Sequence, residues 1–301
     1  QILFAMKYKI LVLGGNGFIG SHLIKYCLKK KWRVVSLSKN LPPLKKRLQK
    51  VEYLSCDISN HKELKKKIKP NYDYVVNLSG YIDHSNDKKI IKTHYTGCKN
   101  LTQIFKTKYP TSFVQIGSGL EYGNLKSPHR EDKVVNLNSI KSNYSKAKYL
   151  ATKHIIKLAK KNNFPGVVVR FYQVYGPGQN TNRLIPFVIK SCKNDEKFPC
   201  SSGNQTKDFL YVTDAIDAII KTLESKNCHG EIINIGYGRP IRVKKIILLI
   251  RNFVKKGMPQ FNKIKLRKDE PLEYYPSIKK AHRIIGWKPK ISLSKGIELT
   301  I

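Results

Sequence analysis

Hydrophobic residues fall into short continuous runs separated by longer stretches with a helical repeat. YKILVL (8–13) is apolar without interruption and ends in GGNGFIG. SHLIKYCLKK follows with a helical pattern, and WRVVSLS forms a second run. Further runs lie at 72–79 (YDYVVNLS), 111–118 (TSFVQIGS), 164–172 (FPGVVVRFY) and 230–236 (GEIINIG). Strands apolar on both faces, alternating with helices, predict an α/β fold with a doubly wound parallel sheet of the Rossmann kind. After about residue 175 the order changes. Gly, Pro and Asn gather in YGPGQNTN, a helical stretch RLIPFVIKSCK follows, and from 241 the chain is helical, basic and then irregular. This predicts a sheet domain over 6–175, completed by about 213–240, and a smaller lobe built from 176–212 and 241–301. No internal repeat or low-complexity linker interrupts it.

Composition narrows the class. The 301 residues, 41% hydrophobic and 10% aromatic, suffice for a large core. No apolar run approaches the length of a membrane span. The start QILFAMKYKILVLGG leads directly into a glycine turn and does not read as a signal peptide, with Met6 as the expected natural start. Six cysteines at 27, 56, 98, 192, 200 and 228 have no metal-type spacing, and eight histidines form no cluster. They predict free thiols, a cytoplasmic protein and no metal. The formal net charge of +38 comes from lysines spread along the whole chain. Such a field attracts anionic substrates or nucleic acid, and it equally describes solvated helix faces.

GGNGFIG is the first motif with chemical content. Gly14, Gly17 and Gly20 lie between a buried strand and a helix, where a tight turn admits a pyrophosphate at a helix amino terminus. The second strand ends with Ser38 and Lys39 rather than with the acid that binds ribose hydroxyls in NAD sites. A hydroxyl and an ammonium suit the additional phosphate of NADP, which is therefore expected over NAD. Asp57, in the turn CDIS, is placed to reach the adenine or to stabilise its own turn.

NYSKAKYL (143–150) puts Tyr144 and Lys148 one helical turn apart, and IGSGLEYG (116–123) puts Ser118 at a strand end. Strand ends are where ligands bind in this fold, so hydroxyl, phenol and ammonium are expected in one site. A nucleic-acid-binding module or a scaffold has no need of this set, and nucleic acid is not the expected partner.

With these motifs in order, the chain resembles the extended short-chain dehydrogenase/reductase family, of the nucleotide-sugar epimerase/dehydratase type. The resemblance rests on GGNGFIG, NLSG (77–80), SGLEYG, YSKAK, RFYQVYGPGQ (170–179), GNQTKDFLYVTD (203–214), NIGYGRPI (234–241) and GWKP (286–289). It implies an enzyme in which Ser118 hydrogen-bonds the sugar oxygen, Tyr144 exchanges a proton with it and Lys148 supports the tyrosinate and binds the nicotinamide ribose. It further implies cofactor contacts from Phe18, Ile19, Leu78 and Ser79 beside the glycines. Substrate contacts are implied for Gln173, Arg183, Lys207 and Arg267, the last two as a clamp on a nucleotide diphosphate. Lys207 stands where arginine is usual and Gln173 where asparagine is usual. His94 also replaces a common asparagine and reads as a core or helix-facing residue.

The dehydratases of this family carry an Asp-Glu pair just after the serine position, the decarboxylases a glutamate and the fucose-type epimerase-reductases a cysteine. Here the residues are Gly119 and Leu120, which transfer no protons. Hydride transfer alone remains: reduction of a nucleotide-linked 4-keto sugar, or 4-epimerisation through a transient ketone. The resemblance to deoxysugar 4-ketoreductases of the CDP-abequose synthase type, with the NADP expectation, favours NADPH-dependent reduction. An NAD-dependent 4-epimerase is the alternative. A homodimer is implied by the family's habit.

Overall fold

The computed structural model describes residues 7–80, 86–266 and 270–301. Along the first half run β1 (Lys9–Leu13), α1 (Phe18–Lys29), β2 (Arg33–Ser38), β3 (Val51–Ser55), α2 (His61–Lys67), β4 (Tyr74–Asn77), α3 (Asp87–Ile91), α4 (Gly97–Ile104), β5 (Ser112–Ser118), α5 (Asn143–Asn162) and β6 (Gly166–Phe171). Then follow β7 (Gln173–Tyr175), α6 (Leu184–Lys193), β8 (Lys197–Pro199), β9 (Thr206–Lys207), β10 (Phe209–Tyr211), α7 (Val212–Glu224) and β11 (Ile232–Ile235). The chain closes with β12 (Ile241–Arg242), α8 (Val243–Val254), β13 (Met258–Gln260), β14 (Glu273–Tyr274), α9 (Lys279–Ile285) and α10 (Leu293–Glu298).

Seven strands form one parallel sheet in the order β11-β6-β5-β4-β1-β2-β3. This is the Rossmann-like α/β arrangement the apolar runs predict. Their continuous hydrophobicity follows from burial on both faces. One face packs Ile10, Val12 and Val76 with Leu23, Ile24 and Cys27 of α1 and Ile216 and Ile219 of α7. The other packs Leu11, Leu13 and Val75 with Leu101 of α4 and Ala151 and Ile155 of α5. In α1 the buried residues Gly20, Leu23, Ile24 and Cys27 trace the stripe a helix lays on a sheet. Only a 3-10 turn at Leu44–Lys46 links β2 to β3, directly after Pro42 and Pro43, the latter extended at φ −52° and ψ 145°.

Strand order reverses between β1 and β4, which opens a crevice at the carboxyl ends of those strands. Shorter sheets stand beside it: β7 pairs β10, β9 lies between β12 and β14, and β8 pairs β13. Fully buried Asp208 joins this part to the end of β11, accepting the amides of Tyr237 and Gly238 at 2.6 Å each. Burial pushes its carboxyl up to about 7 despite those hydrogen bonds. The buried Trp287 ring donates Nε1–H to the Asp214 carbonyl at 3.2 Å, fastening the C-terminal segment to α7. All six cysteines are buried and free. Among the described residues no helix is long and apolar enough to cross a membrane, and no group of three His, Cys, Asp or Glu is placed to hold a metal.

Candidate active site

The glycine turn is built for close approach. Gly14 has φ +75°, and a Cβ there would stand 2.8 Å from the Leu78 carbonyl. A Cβ on Gly20 would overlap the Gly14 carbonyl oxygen, so α1 begins in contact with the turn. α1 starts at Phe18 after Gly17, with no side chain capping its first amides. Those amides and the positive end of the helix form a cradle for an anion. The turn, its glycines and the uncapped amides of Phe18, Ile19 and Gly20 fit the pyrophosphate of a dinucleotide.

Ser38, at the end of β2, accepts the Asn16 amide of the glycine turn at 3.3 Å. The Lys39 ammonium lies 3.0 Å from the Asp57 carboxylate. Burial alone would raise the Asp57 carboxyl, but the Ser59 amide and hydroxyl and the Lys39 ammonium hold it below the usual range. The Leu78 amide donates to the Leu13 carbonyl at 3.0 Å and the Ser79 amide to Asn77 Oδ1 at 3.1 Å. The structure thus gathers Gly14, Gly17, Phe18, Ile19, Gly20, Ser38, Lys39, Asp57, Leu78 and Ser79 along one crevice edge.

α5 is capped by Ser142, whose hydroxyl accepts the Ser145 amide at 3.1 Å. Tyr144 and Lys148 follow on one face, with Lys148 Nζ 5.9 Å from the Tyr144 ring centroid. β5 delivers Ser118, 8% exposed, to the side of Tyr144, close enough for its hydroxyl to act on the phenol. Lys148 Nζ donates to the Ile116 carbonyl at 2.8 Å. Burial pushes the Tyr144 phenol up to about 12 and the nearby Glu121 charge adds to this, while the Arg183 guanidinium and the Ser118 hydroxyl oppose it. Burial lowers the Lys148 ammonium to about 8, with Glu121 and Cys98 acting the other way. Ser118, Tyr144 and Lys148 therefore form one cluster, in which the cation bonds a carbonyl of β5. His94, buried in a π-helical turn at Lys92–Thr96, meets the Tyr144 ring edge-on at 5.1 Å.

Two aromatic residues at the cluster escape sequence reasoning. Tyr274 of β14 lies close to Ser118, and its ring is 4.8 Å from that of Tyr172. Both occupy the space a side chain at position 119 would need: a Cβ on Gly119 would stand 2.6 Å from the Tyr172 ring and 2.7 Å from the Tyr274 hydroxyl. Leu120 is 39% exposed beside the buried Ser118.

The remaining expected residues are more dispersed. Gln173 is partly buried on β7, and Arg183 is exposed at the start of α6, near enough for its charge to act on Tyr144. Lys207 on β9 is paired with Glu270 rather than free, and Arg267 lies outside the described residues. A groove of about 660 Å³ between β9, β12 and α10 is lined by Thr206, Tyr237, Arg239, Arg242 and Lys245 among others. Its three cations went unassigned from sequence because basic residues are everywhere in this chain. The motif NIGYGRPI, which carries Arg239, was the available signal.

The family model described as the NAD dependent epimerase/dehydratase family matches residues 10–236. The chain belongs to that family. A Methanocaldococcus jannaschii protein provisionally named UDP-glucose 4-epimerase is 29% identical, covering 97% of this chain and 97% of its own length. The dTDP-4-dehydro-6-deoxyglucose reductase of Escherichia coli is 27% identical over 99% of this chain and 98% of its own. CDP-abequose synthase of Salmonella muenchen is 25% identical over 96% of each chain. Among solved structures, the Bacillus cereus UDP-glucuronic acid 4-epimerase with UDP-glucuronic acid and NAD is 26% identical, with TM-score 0.85 over 97% of each chain. The chain is thus an enzyme of the nucleotide-sugar epimerase/dehydratase type, similar to proteins that perform different reactions.

Proposed function

We propose that this family member reduces a nucleotide-linked 4-keto-deoxysugar with NADPH. One observation carries the reading: Ser118, Tyr144 and Lys148 are clustered at the carboxyl end of β5, on the sheet edge that also carries the glycine turn after β1, while Gly119 and Leu120 supply no further acid or base. Bound NADPH would supply the hydride for the sugar carbon. Ser118 hydrogen-bonds the ketone oxygen, and Tyr144 donates the proton that the new alkoxide needs. Lys148 presents a positive charge one helical turn from that phenol and binds the cofactor ribose. Ser38 and Lys39 take the additional phosphate, with Asp57 turning from Lys39 to the adenine. The segments 176–212 and 241–301 form the substrate lobe, where Gln173 and Arg183 contact the sugar and Lys207 and Arg267 the diphosphate. Similarity to the E. coli reductase supports the same reading.

The test is loss of NADPH absorbance on mixing with a panel of nucleotide 4-keto-6-deoxysugars. Turnover is expected for at least one, and Tyr144→Phe is expected to lower it by about 100-fold or more. The Lys39–Asp57 pair favours a second reading, since it leaves an acid near the end of β2 where NAD is held through ribose hydroxyls. On that reading the enzyme is a 4-epimerase. Tightly held NAD released from the purified protein, with C4 epimers interconverted and no net NADPH consumed, would replace the reductase by the epimerase.

A further inference from the structure

Glu121 is fully buried, in a chain with 20 acidic and 58 basic residues. Its Oε1 accepts the Ser118 amide at 2.7 Å, closing a reciprocal cap with the Ser118 hydroxyl. Its Oε2 accepts from Thr152 Oγ1 of α5 at 2.7 Å and from Arg170 Nε of β6 at 2.9 Å. A second Arg170 nitrogen lies 2.8 Å from Oε2, and the guanidinium, 2% exposed, sits 4.4 Å over the Tyr122 ring. The β5–β6 register, which pairs Gly117 with Arg170, brings the cation to this spot. Gly117 leaves the room: a Cβ there would stand 2.5 Å from Oε1. A buried carboxylate persists only when its lone pairs are satisfied, and these contacts satisfy them.

We propose that Glu121 is a positioning residue for the Ser118–Tyr144–Lys148 set, fixing the Ser118 backbone and supplying the buried negative charge that keeps an ammonium at Lys148. This rests on the catalytic reading of that set. The groups facing Lys148 are Glu121 from the turn after β5, Cys98 from α4 and the Ile116 carbonyl of β5. Those facing Tyr144 among the described residues include Glu121, Arg183 from α6, Ser118, His94 and Tyr274 of β14. Glu121 acts on both members, opposing the loss of the lysine proton and of the phenol proton alike. At neutral pH burial, with Glu121 adding to it, keeps the phenol protonated, and Glu121 opposes the burial that would strip Lys148, so both start a ketone reduction with their protons.

The test follows the charge of Lys148 by NMR of protein labelled with ¹³C at lysine Cε, the signal being assigned with Lys148→Met. Two variants are compared with the wild type. Glu121→Gln keeps the shape but leaves Arg170 uncompensated. Glu121→Leu with Arg170→Met removes the ion pair as a unit, a replacement that buried pairs commonly tolerate. In Glu121→Gln the lysine midpoint is expected to fall by about one unit, the scale for losing a nearby opposite charge, and by less in the double variant, which also removes the Arg170 cation. The charged fraction at pH 8 then drops about fivefold. If a sugar is reduced, the alkaline limb of turnover moves down with it. A folded Glu121→Gln protein with an unchanged midpoint would show that the contacts are only structural and overturn the proposal. So would a wild-type midpoint below about 6, where burial would be uncompensated. The titration needs no substrate, so it decides the role of Glu121 even if no sugar is turned over.

Discussion

His129 makes the wall of the site sensitive to acid. Its ring is 4% exposed, stacked on Tyr122 at 4.6 Å. Nε2 lies 3.0 Å from the Leu125 carbonyl, which can only accept, so Nε2 carries the proton. Nδ1, 2.9 Å from the Tyr172 hydroxyl, must then accept the phenol proton. Both ring nitrogens are satisfied in the neutral form, and a second proton on Nδ1 would remove the Tyr172 donor's acceptor. Burial is the main reason that the ring falls from 6.5 to about 4, with the Arg170 charge adding to it and the Leu125 hydrogen bond opposing. The unfolded chain binds the proton more readily than the folded one. Stability from this group is therefore complete above pH 6.5 and is lost as pH falls towards 4. The loss amounts to ~2 kcal/mol at pH 5 and ~3 kcal/mol at pH 4.

Urea unfolding of the wild type and of His129→Gln, from pH 8 to pH 5, measures this directly. Glutamine can donate to Leu125 and accept from Tyr172 without titrating. The variant should lose ~2 kcal/mol less than the wild type between those limits. His154 is also lowered to about 4, by burial first and then by Lys99 and Lys157, and it contributes equally to both proteins. Equal losses in the two proteins would refute the argument.

Replacing Lys39 by glutamate should lower the preference for NADPH over NADH by roughly tenfold or more, the value of one hydrogen bond to a charged group. Steady-state rates with each cofactor check it, and an unchanged ratio would remove Lys39 from the phosphate site. Gly20→Ala pushes a methyl group into the Gly14 carbonyl, and overpacking of this kind costs about 1–3 kcal/mol. NADPH fluorescence titration should show binding weakened by about tenfold.

Local patterns made the sheet, the glycine turn and the Tyr144–Lys148 pair legible, because strand, turn and helix each lie within a few residues of one another. Ser118 was legible because strand ends carry ligands in this fold. The partners of these residues were not. Glu121 meets Arg170 only through the β5–β6 register, and Tyr274 reaches Ser118 only because β14 pairs with β9. Lys207 looked available from its position, whereas Glu270 neutralises it across a loop. Contacts of that kind depend on how distant segments pack, and no local spacing records them.

The phenols crowding Gly119 also bear on descent. A single codon change that brought in aspartate would collide with Tyr172 and Tyr274 before it could assist elimination of water. Drift towards dehydratase chemistry must therefore clear those rings as well as gain the missing acid and base.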